Sequence, residues 1–546
     1  MAVTHRYGSA GVLILALIIA PQTIAQDPVA GRELFEREWQ YVDRGTTFTA
    51  WSTTTRMPQR RGRGRGPRPQ HRDSGRELTS MLPAEGMEGM ADGLGPLHNA
   101  VSCAACHPGG GASGVEHNVT LITVDPRSPI FERSAGRGGR GRAGGSDMDF
   151  FPGLVSGNTL SFNTVVHDLS TRRGYRAIRQ RLAVGVPNGL PDVWFDPLSR
   201  TVDAIASQPV VAGRYGTLDY YLSQRNSPPL HGMGDIERIS TNRLKAIALS
   251  RTRSSGGTIS GRVAGKYGWR GQVDTLSDFV AGACASELGL NVANTARQAG
   301  DPADPRYLSL AADVSTTQVA DLTRYVADLP APAKPLLSLE ERKRVHRGEQ
   351  IFHSIGCAAC HIADLPPARG IFSDLLLHDM GPDLQDPFPA PAYQLASTRS
   401  AAPASRYPSR YGRGEAWTYR SDAPSDRRRA VANDGRTSLA TGTPEPIALD
   451  YPEQPQFPRG EVKEADLKGR HRFSWDALQR EWKTPPLWGV ADSAPYLHDG
   501  RAATLTDAIQ WHGGEADQSK RKFDRLNEDQ QQLLLAFLES MKGPVD

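Results

Sequence analysis

Cysteine, long apolar runs and net charge are all scarce in this 546-residue chain. Only five cysteines are present, and four of them lie in two short motifs, which favours a role in those motifs over a disulfide framework. After residue 25 no stretch reaches the length of a transmembrane helix, so we expect no transmembrane segment in the mature chain. The formal net charge of +4 gives no strong bias toward nucleic acid, and we expect no nucleic-acid partner.

The four motif cysteines form the same five-residue sequence twice. Residues 103–107 read CAACH, and residues 357–361 repeat them letter for letter. A Cys-x-x-Cys-His sequence is typical of c-type haem attachment, in which both cysteines form thioethers and the histidine binds the iron. The alternative is zinc, which needs four ligands close together, whereas these motifs lie far apart and each has its own His. The pattern therefore predicts two covalently bound haem c groups.

The motif residues divide into two roles. The thioether positions are Cys103, Cys106, Cys357 and Cys360, and the proximal iron ligands are His107 and His361. The fifth cysteine, Cys284, lies in the apolar segment 279–290, where we expect a buried helix and a small core thiol.

The amino terminus resembles a secretory signal. His5 and Arg6 precede the apolar run 11–20, and Ala25 is a small residue suited to cleavage. The pattern of residues 1–25 therefore predicts a Sec-type signal peptide and a periplasmic or secreted protein. An uncleaved membrane anchor is the alternative. Export agrees with the haem prediction, because c-type haems are attached outside the bacterial cytoplasm.

The mature chain is too long for one hydrophobic core, and its two halves repeat one scheme. A helix with Gly and Phe comes before each haem motif, at residues 31–35 and 348–352, and an amphipathic helix closes each half, at 315–329 and 527–541. Ser338 with Glu341 predicts a capping box at the start of the second half. The predicted organisation is a signal peptide at 1–25, an N-terminal haem domain at 26–330, a linker at 331–337 and a C-terminal haem domain at 338–546.

Long insertions separate these helices. Residues 59–72 and 137–145 are rich in Arg and Gly, and residues 389–446 are rich in Pro, Gly and Ser. The arginine tracts are interpreted as flexible insertions, with binding to an anionic surface as the alternative. The predicted fold is mainly α with extensive coil and few strands, in two cytochrome c-like domains that each bind one covalent haem.

The chain resembles the bacterial di-haem oxidoreductases of the di-haem cytochrome c peroxidase superfamily. The resemblance covers roughly residues 85–543. It is carried by residues 93–99 (GLGPLHN), 230–234 (LHGMG), 259–262 (ISGR), 373–381 (SDLLLHDMG), 484–489 (TPPLWG), 498–501 (HDGR) and 511–516 (WHGGEA).

The resemblance implies that one haem transfers electrons and that the other reacts with peroxide. It also implies a calcium ion between the domains, although the sequence has no dedicated calcium loop. In the peroxidases of this superfamily a Met stands at the position, counted from the HDG motif, that His512 occupies here. His512 is therefore the first distal candidate for the second haem, with His378 and Met380 as alternatives.

Two adjacent residues are candidates for chemistry at the first haem. His117 follows the first motif in a predicted loop, where it is either a distal ligand, an acid/base group or an ordinary surface histidine. Glu116 stands beside it as a second acid/base candidate. His98 and His167 are also within range of this site.

Asp499 and Arg501 are interpreted as holding the propionates of the second haem or bracing the interface, with a structural turn as the alternative. Trp488 or Trp511 is a candidate for relaying electrons, although packing is the ordinary role of tryptophan.

Three functions remain open at this level. The first is an exported, peroxidase-like oxidoreductase that uses a peroxide or small-molecule substrate and takes electrons from a small redox protein or another donor. The second is a non-catalytic carrier in which both irons are six-coordinate, and a more distant third is a di-haem oxygenase.

Overall fold

The computed structural model describes residues 27–42, 91–125, 163–186, 196–216, 218–296, 311–332, 336–387 and 475–544, with short pieces at 83, 128, 155–156, 159–160, 194, 309 and 393–394. The predicted signal peptide, both arginine tracts, residues 333–335 of the predicted linker and almost all of 389–446 lie outside the described residues.

The helices are α1 (Pro28–Glu36), α2 (Cys103–Cys106), α3 (Tyr175–Val184), α4 (Val202–Ser207), α5 (Met233–Glu237), α6 (Thr241–Ser254), α7 (Leu276–Ser286), α8 (Thr316–Asp328), α9 (Leu339–Ile355), α10 (Trp475–Arg480), α11 (Leu505–Gln510), α12 (Asp517–Phe523) and α13 (Glu528–Glu539). Short 3-10 turns lie at Pro108–Gly110, Val115–His117, Pro197–Ser199, Cys357–Ala359, Pro382–Leu384, Val490–Asp492 and Gly514–Ala516.

The strands are β1 (Leu97–His98), β2 (Val119–Val124), β3 (Val155–Ser156), β4 (Thr159–Leu160), β5 (Asn163–Val166), β6 (Leu169–Ser170), β7 (Val210–Tyr215), β8 (Leu218–Arg225), β9 (Leu377–Asp379), β10 (Tyr393–Gln394) and β11 (Glu481–Lys483). They form an antiparallel four-stranded sheet in the order β5-β2-β8-β7, a three-stranded sheet β10-β4-β3, and the pairs β1-β6 and β11-β9.

The predicted opening and closing helices are confirmed. Capping boxes begin α8 at Ser315, α9 at Ser338 and α13 at Asn527, so side chains satisfy backbone N–H groups that a helix start leaves free. Helix α7 contains Cys284, which is 3% exposed, and this confirms the predicted buried core thiol.

A glycine lets each opening helix approach its closing helix closely. A Cβ on Gly31 would collide with the carbonyl oxygen of Asp321 in α8, and a Cβ on Gly348 would collide with that of Leu533 in α13. Both helix pairs therefore depend on backbone contact at one position, where any larger residue would force the helices apart.

The four-stranded sheet overturns the prediction of a mainly α fold with few strands. Its central strands β2 (VTLITV) and β8 (LDYYLSQR) are rich in β-branched and aromatic residues, which suit a half-buried pleated surface. Ile122 lies opposite Leu222 in the register, and both are buried. Neither strand is among the elements predicted from the sequence.

The prediction of two cytochrome c-like domains is also wrong as a description of the fold. One buried cluster joins Leu34 and Phe35 of α1 with Leu365, Leu376 and Trp488 from the C-terminal half. One apolar cluster therefore takes residues from both halves of the chain, and Cys103 and Cys106 of the first motif pack against it. A smaller cluster forms around Phe352, Phe372, Phe523 and Phe537.

No helix in the described part of the chain combines the length and the apolar character needed to cross a lipid bilayer.

Candidate haem-binding sites

The first motif forms the short helix α2, which begins at the N-cap Ser102. The backbone N–H of His107 donates to the carbonyl of Cys103, and its ring Nδ1 lies 3.3 Å from the carbonyl oxygen of Gly111. Because a carbonyl can only accept, Nδ1 carries the proton and Nε2 keeps its lone pair. Burial lowers the pKa of His107 to about 4, with hydrogen bonds to backbone carbonyls opposing the shift, so the ring is neutral.

The second motif begins where Gly356, at φ 100°, ends helix α9. The ring Nδ1 of His361 lies 2.9 Å from the carbonyl oxygen of Phe372. Burial, and then the neighbouring His512, lower the pKa of His361 to about 4. Both motif histidines are thus neutral and have Nδ1 fixed by a backbone carbonyl.

These residues fit a covalently held haem. All four motif cysteines are free thiols, so each pair can form two thioethers. A metal-binding histidine usually donates its other ring N–H to a carbonyl or carboxylate, which fixes its tautomer and orientation. His107 and His361 both do so, with Nε2 left for the iron.

His512 lies near His361, and its role as a distal ligand stays a prediction. The two ring centroids are 6.5 Å apart and the ring planes differ by 48°. The Nδ1 of His512 lies 2.8 Å from the carbonyl oxygen of Ala508, so this ring also keeps Nε2 for another partner. An imidazole nitrogen lies about 2 Å from a bound transition metal, so the centroids of two imidazoles on opposite sides of one metal are roughly 6 Å apart.

The alternative ligand His378 is already occupied. Its Nδ1 lies 2.6 Å from Oε2 of Glu515, and its Nε2 lies 3.1 Å from Oδ2 of Asp374. Burial alone would lower the pKa of His378, but Cys360 and Asp374 raise it well above its usual value. Both ring nitrogens of His378 therefore already have a carboxylate partner. For Met380 the structure shows only a backbone hydrogen bond to Arg480, and its role as a ligand stays a prediction.

Cys360, Asp374 and His378 also form a group whose ligand atoms lie within 4.8 Å of one another. A thiolate, a carboxylate and an imidazole suit zinc better than calcium, which takes oxygen ligands. The predicted calcium ion therefore gains no support from this group. The sulfur of Cys360 can belong either to this group or to a haem thioether. The presence of Cys357 and His361 in the same motif favours the thioether.

At the first site the structure brings His117 next to the motif. Its Nδ1 lies 3.8 Å from Sγ of Cys106. Glu116 is exposed, and its backbone oxygen accepts a hydrogen bond from Nη1 of Arg200. Of the two acid/base candidates, only His117 is therefore placed beside a haem-linking sulfur.

His98 and His167 lie buried in the same half, at 5% and 3% exposure. The Nε2 of His167 lies 2.9 Å from the carbonyl oxygen of Ser286. In each ring Nδ1 has no hydrogen-bond partner. Their part in the site stays a prediction.

Asp499 and Arg501 bind each other and not an open space. The Nε of Arg501 lies 2.7 Å from Oδ2 of Asp499, and its Nη1 donates to the carbonyl oxygen of Asp383 at 2.9 Å. The backbone oxygen of Asp499 accepts from Nδ2 of Asn118 at 2.9 Å. Since Asn118 directly follows His117, this geometry agrees with the bracing role of Asp499 and Arg501, and binding of the propionates stays a prediction.

A stacked pair beside this brace was not found from the sequence. The rings of Trp482 and His498 lie 3.6 Å apart at 10°, and the guanidinium of Arg270 lies 4.1 Å from the Trp482 centroid. The two predicted relays have packing contacts: Trp488 donates to the carbonyl of Arg369, and Trp511 lies under the guanidinium of Arg501. Nothing in the sequence distinguishes Trp482 among nine tryptophans.

Residues 461–541 match the family model described as "Di-haem oxidoreductase, putative peroxidase". The match is confined to this C-terminal part of the chain, where it agrees with the predicted family. The matched stretch contains Asp499, Arg501 and His512, and both CAACH motifs lie before it. The description of that model names a haem-containing oxidoreductase.

Among solved structures, hydrazine synthase from Kuenenia stuttgartiensis aligns at 18% identity over 58% of this chain and 72% of that chain. Its TM-score of 0.25 is too low to support an argument about fold or function. No curated protein matches the chain.

Proposed function

We propose that the chain is a periplasmic or secreted di-haem c-type oxidoreductase of the peroxidase type, with electron transfer at the second haem and peroxide reduction at the first. This assignment of roles rests on one observation, the 6.5 Å between the ring centroids of His512 and His361. An iron held by an imidazole on each side would have no open position for peroxide. The family match over residues 461–541 supports the oxidoreductase class.

The residues of the second site would hold the haem group and fix the orientation of its ligands. Cys357 and Cys360 would form the thioethers, and His361 and His512 would supply the two axial nitrogens. The carbonyls of Phe372 and Ala508 fix the tautomer of each ring, so that both Nε2 atoms keep a lone pair.

The first site differs in its distal candidate. Cys103, Cys106 and His107 would hold the group, which supplies the one-electron redox chemistry when bound. His117 lies beside Cys106 and can hold or move a proton, as reduction of hydrogen peroxide by two electrons and two protons to two waters requires. The exposed Glu116 is the less well placed proton carrier of the two.

Export and partners are part of the same proposal. Residues 1–25 have the pattern of a Sec-type signal, and c-type haems are attached outside the bacterial cytoplasm. Electrons would then come from a small redox protein or another donor at the second site. The calcium ion stays a prediction, as does the role of the arginine tracts.

One preparation of the exported protein tests the proposal. Mass spectrometry should show two covalent haems, and EPR should show one low-spin haem and one high-spin haem that binds carbon monoxide when reduced. Two low-spin haems that ignore peroxide and carbon monoxide, even after half-reduction, would leave only the electron carrier. A protein with no added haem mass would overturn the function altogether.

A further inference from the structure

A buried hydrogen bond joins strand β9 to the turn that carries His512. The Nδ1 of His378 in β9 lies 2.6 Å from Oε2 of Glu515, which comes three residues after His512. Both side chains are nearly inaccessible, at 2% and 7% exposure. A charge-assisted bond in such a place is among the stronger side-chain contacts, because the low local dielectric strengthens it.

Further partners fix both ends of this link. On one side, Asp374 accepts from Nε2 of His378 and, through Oδ1, from the backbone N–H of Leu376. On the other, Ser260 donates its hydroxyl to Oε1 of Glu515 at 2.7 Å and its backbone N–H to Oε2 at 3.2 Å. The link is therefore rigid, since neither His378 nor Glu515 can rotate without leaving a buried charge unpaired.

The backbones on the two sides of the link are also in close contact. A Cβ on Gly513 would lie 2.8 Å from the carbonyl oxygen of Met380, and a Cβ on Gly381 would lie 2.8 Å from the backbone nitrogen of Gly514. The turn after His512 thus rests directly on the end of β9. The hydrogen bond between His378 and Glu515 connects the same two segments through side chains beside this backbone contact.

We propose that His378 is a positioning residue of the second haem site: through Glu515 it holds the turn in which Nε2 of His512 faces His361. The ring of His512 is oriented by Ala508 in helix α11, and the distance from that helix end to His361 is set by the link to β9. The proposal rests on the proposed function, because it takes His512 as the distal ligand.

The test compares substitutions in the full exported protein with both haems attached. The variants are His378→Ala, His378→Gln, Glu515→Gln and His512→Ala, and the control is His346→Ala, an exposed histidine on α9 at 67% exposure. The measurements are the EPR spectrum of the ferric protein and the affinity of the reduced protein for carbon monoxide.

His512→Ala should convert one haem from low spin to high spin. His378→Ala should convert a fraction of the same haem, and a tenfold larger five-coordinate fraction gives an apparent carbon monoxide affinity about tenfold tighter. His378→Gln keeps a donor toward Glu515 and should return the spectrum toward that of the unaltered protein, while His346→Ala should match it. If His378→Ala does not accumulate, the isosteric Glu515→Gln makes the same comparison.

The outcomes distinguish ligation by His512 from positioning by His378. If His512→Ala converts one haem and neither His378→Ala nor Glu515→Gln changes it, His512 remains the ligand and the positioning role is overturned. If His512→Ala changes neither haem, ligation by His512 is wrong and the positioning role fails with it. Full conversion by His378→Ala alone would make His378 itself the ligand, which also overturns the proposal.

Discussion

The two CAACH motifs have the same five residues and meet different surroundings. In both, the proximal histidine binds a backbone carbonyl through Nδ1, with Gly111 at 3.3 Å in the first and Phe372 at 2.9 Å in the second. Across from His361 stands a second neutral imidazole, His512, whereas the first motif has His117 beside its cysteine sulfur. The identical motif sequences therefore do not determine the neighbouring histidine, which comes shortly after the first motif in one case and from a distant segment in the other.

The largest effect should come from removing one attachment motif at a time. Replacing Cys357 and Cys360 with Ser should remove one covalent haem and the low-spin signal, since serine forms no thioether. Replacing Cys103 and Cys106 should remove the other haem and the high-spin signal. Mass spectrometry and EPR of the two proteins make the comparison; loss of the same signal in both would break the assignment of spin states to sites.

Removing His117, the proposed acid/base group of the first site, should change peroxide turnover without changing the coordination of the second site. His117→Ala should lower peroxide turnover by about 10²- to 10⁴-fold, the usual contribution of a general acid/base group, with the low-spin spectrum unchanged. Turnover assays with Glu116→Gln as the neighbouring control should show a smaller loss, because that side chain is exposed. Unchanged turnover in His117→Ala would remove it from the mechanism.

The two pairs of opening and closing helices should both be destabilised when a methyl group is added at their close contact. Gly31→Ala and Gly348→Ala should each destabilise the protein by about 1–3 kcal/mol or more, because the added Cβ collides with a backbone carbonyl of the facing helix. Gly282→Ala in α7 is the matched control: its Cβ would meet nothing within 4 Å, so helix propensity should stabilise the protein by up to about 1 kcal/mol. Denaturant unfolding measures all three, and equal stabilities would disprove the close approach.

The smallest effect should come from the helix caps. Ser315→Ala and Ser338→Ala each remove the side-chain acceptor of a capping box, at a cost of about 1 kcal/mol. Ser254→Ala, near the end of α6, has no such acceptor role at a helix start and serves as the control. A cost in one half alone would show that the two halves do not use their closing and opening helices in the same way.

Much of the helical frame could be predicted because its signals are local. Ser315, Ser338 and Asn527 stand before amphipathic runs, and the hydrogen bonds that they make reach only three residues along the chain. The β2-β8 ladder was missed because its evidence is the pairing itself, which joins residues about a hundred positions apart. The shared core was missed for the same reason, since a repeated motif order says nothing about how two halves pack.

The candidate site divides along the same line. His107 and His361 follow from the motif, and His512 from a resemblance. The contact of His378 with Glu515, and those of Asp499 with Asn118 and of Arg501 with Asp383, join distant segments and could not be predicted.

The sequence by itself determined which atoms could bind haem. Two thiols and an imidazole lie within five residues, so they can reach one haem in any fold that exposes them. Only the tertiary structure decided which imidazole lies beside His361, because His512 comes from another segment. Its distance and its free nitrogen are set by packing and by hydrogen bonds such as those of Ala508, Glu515 and Asn118.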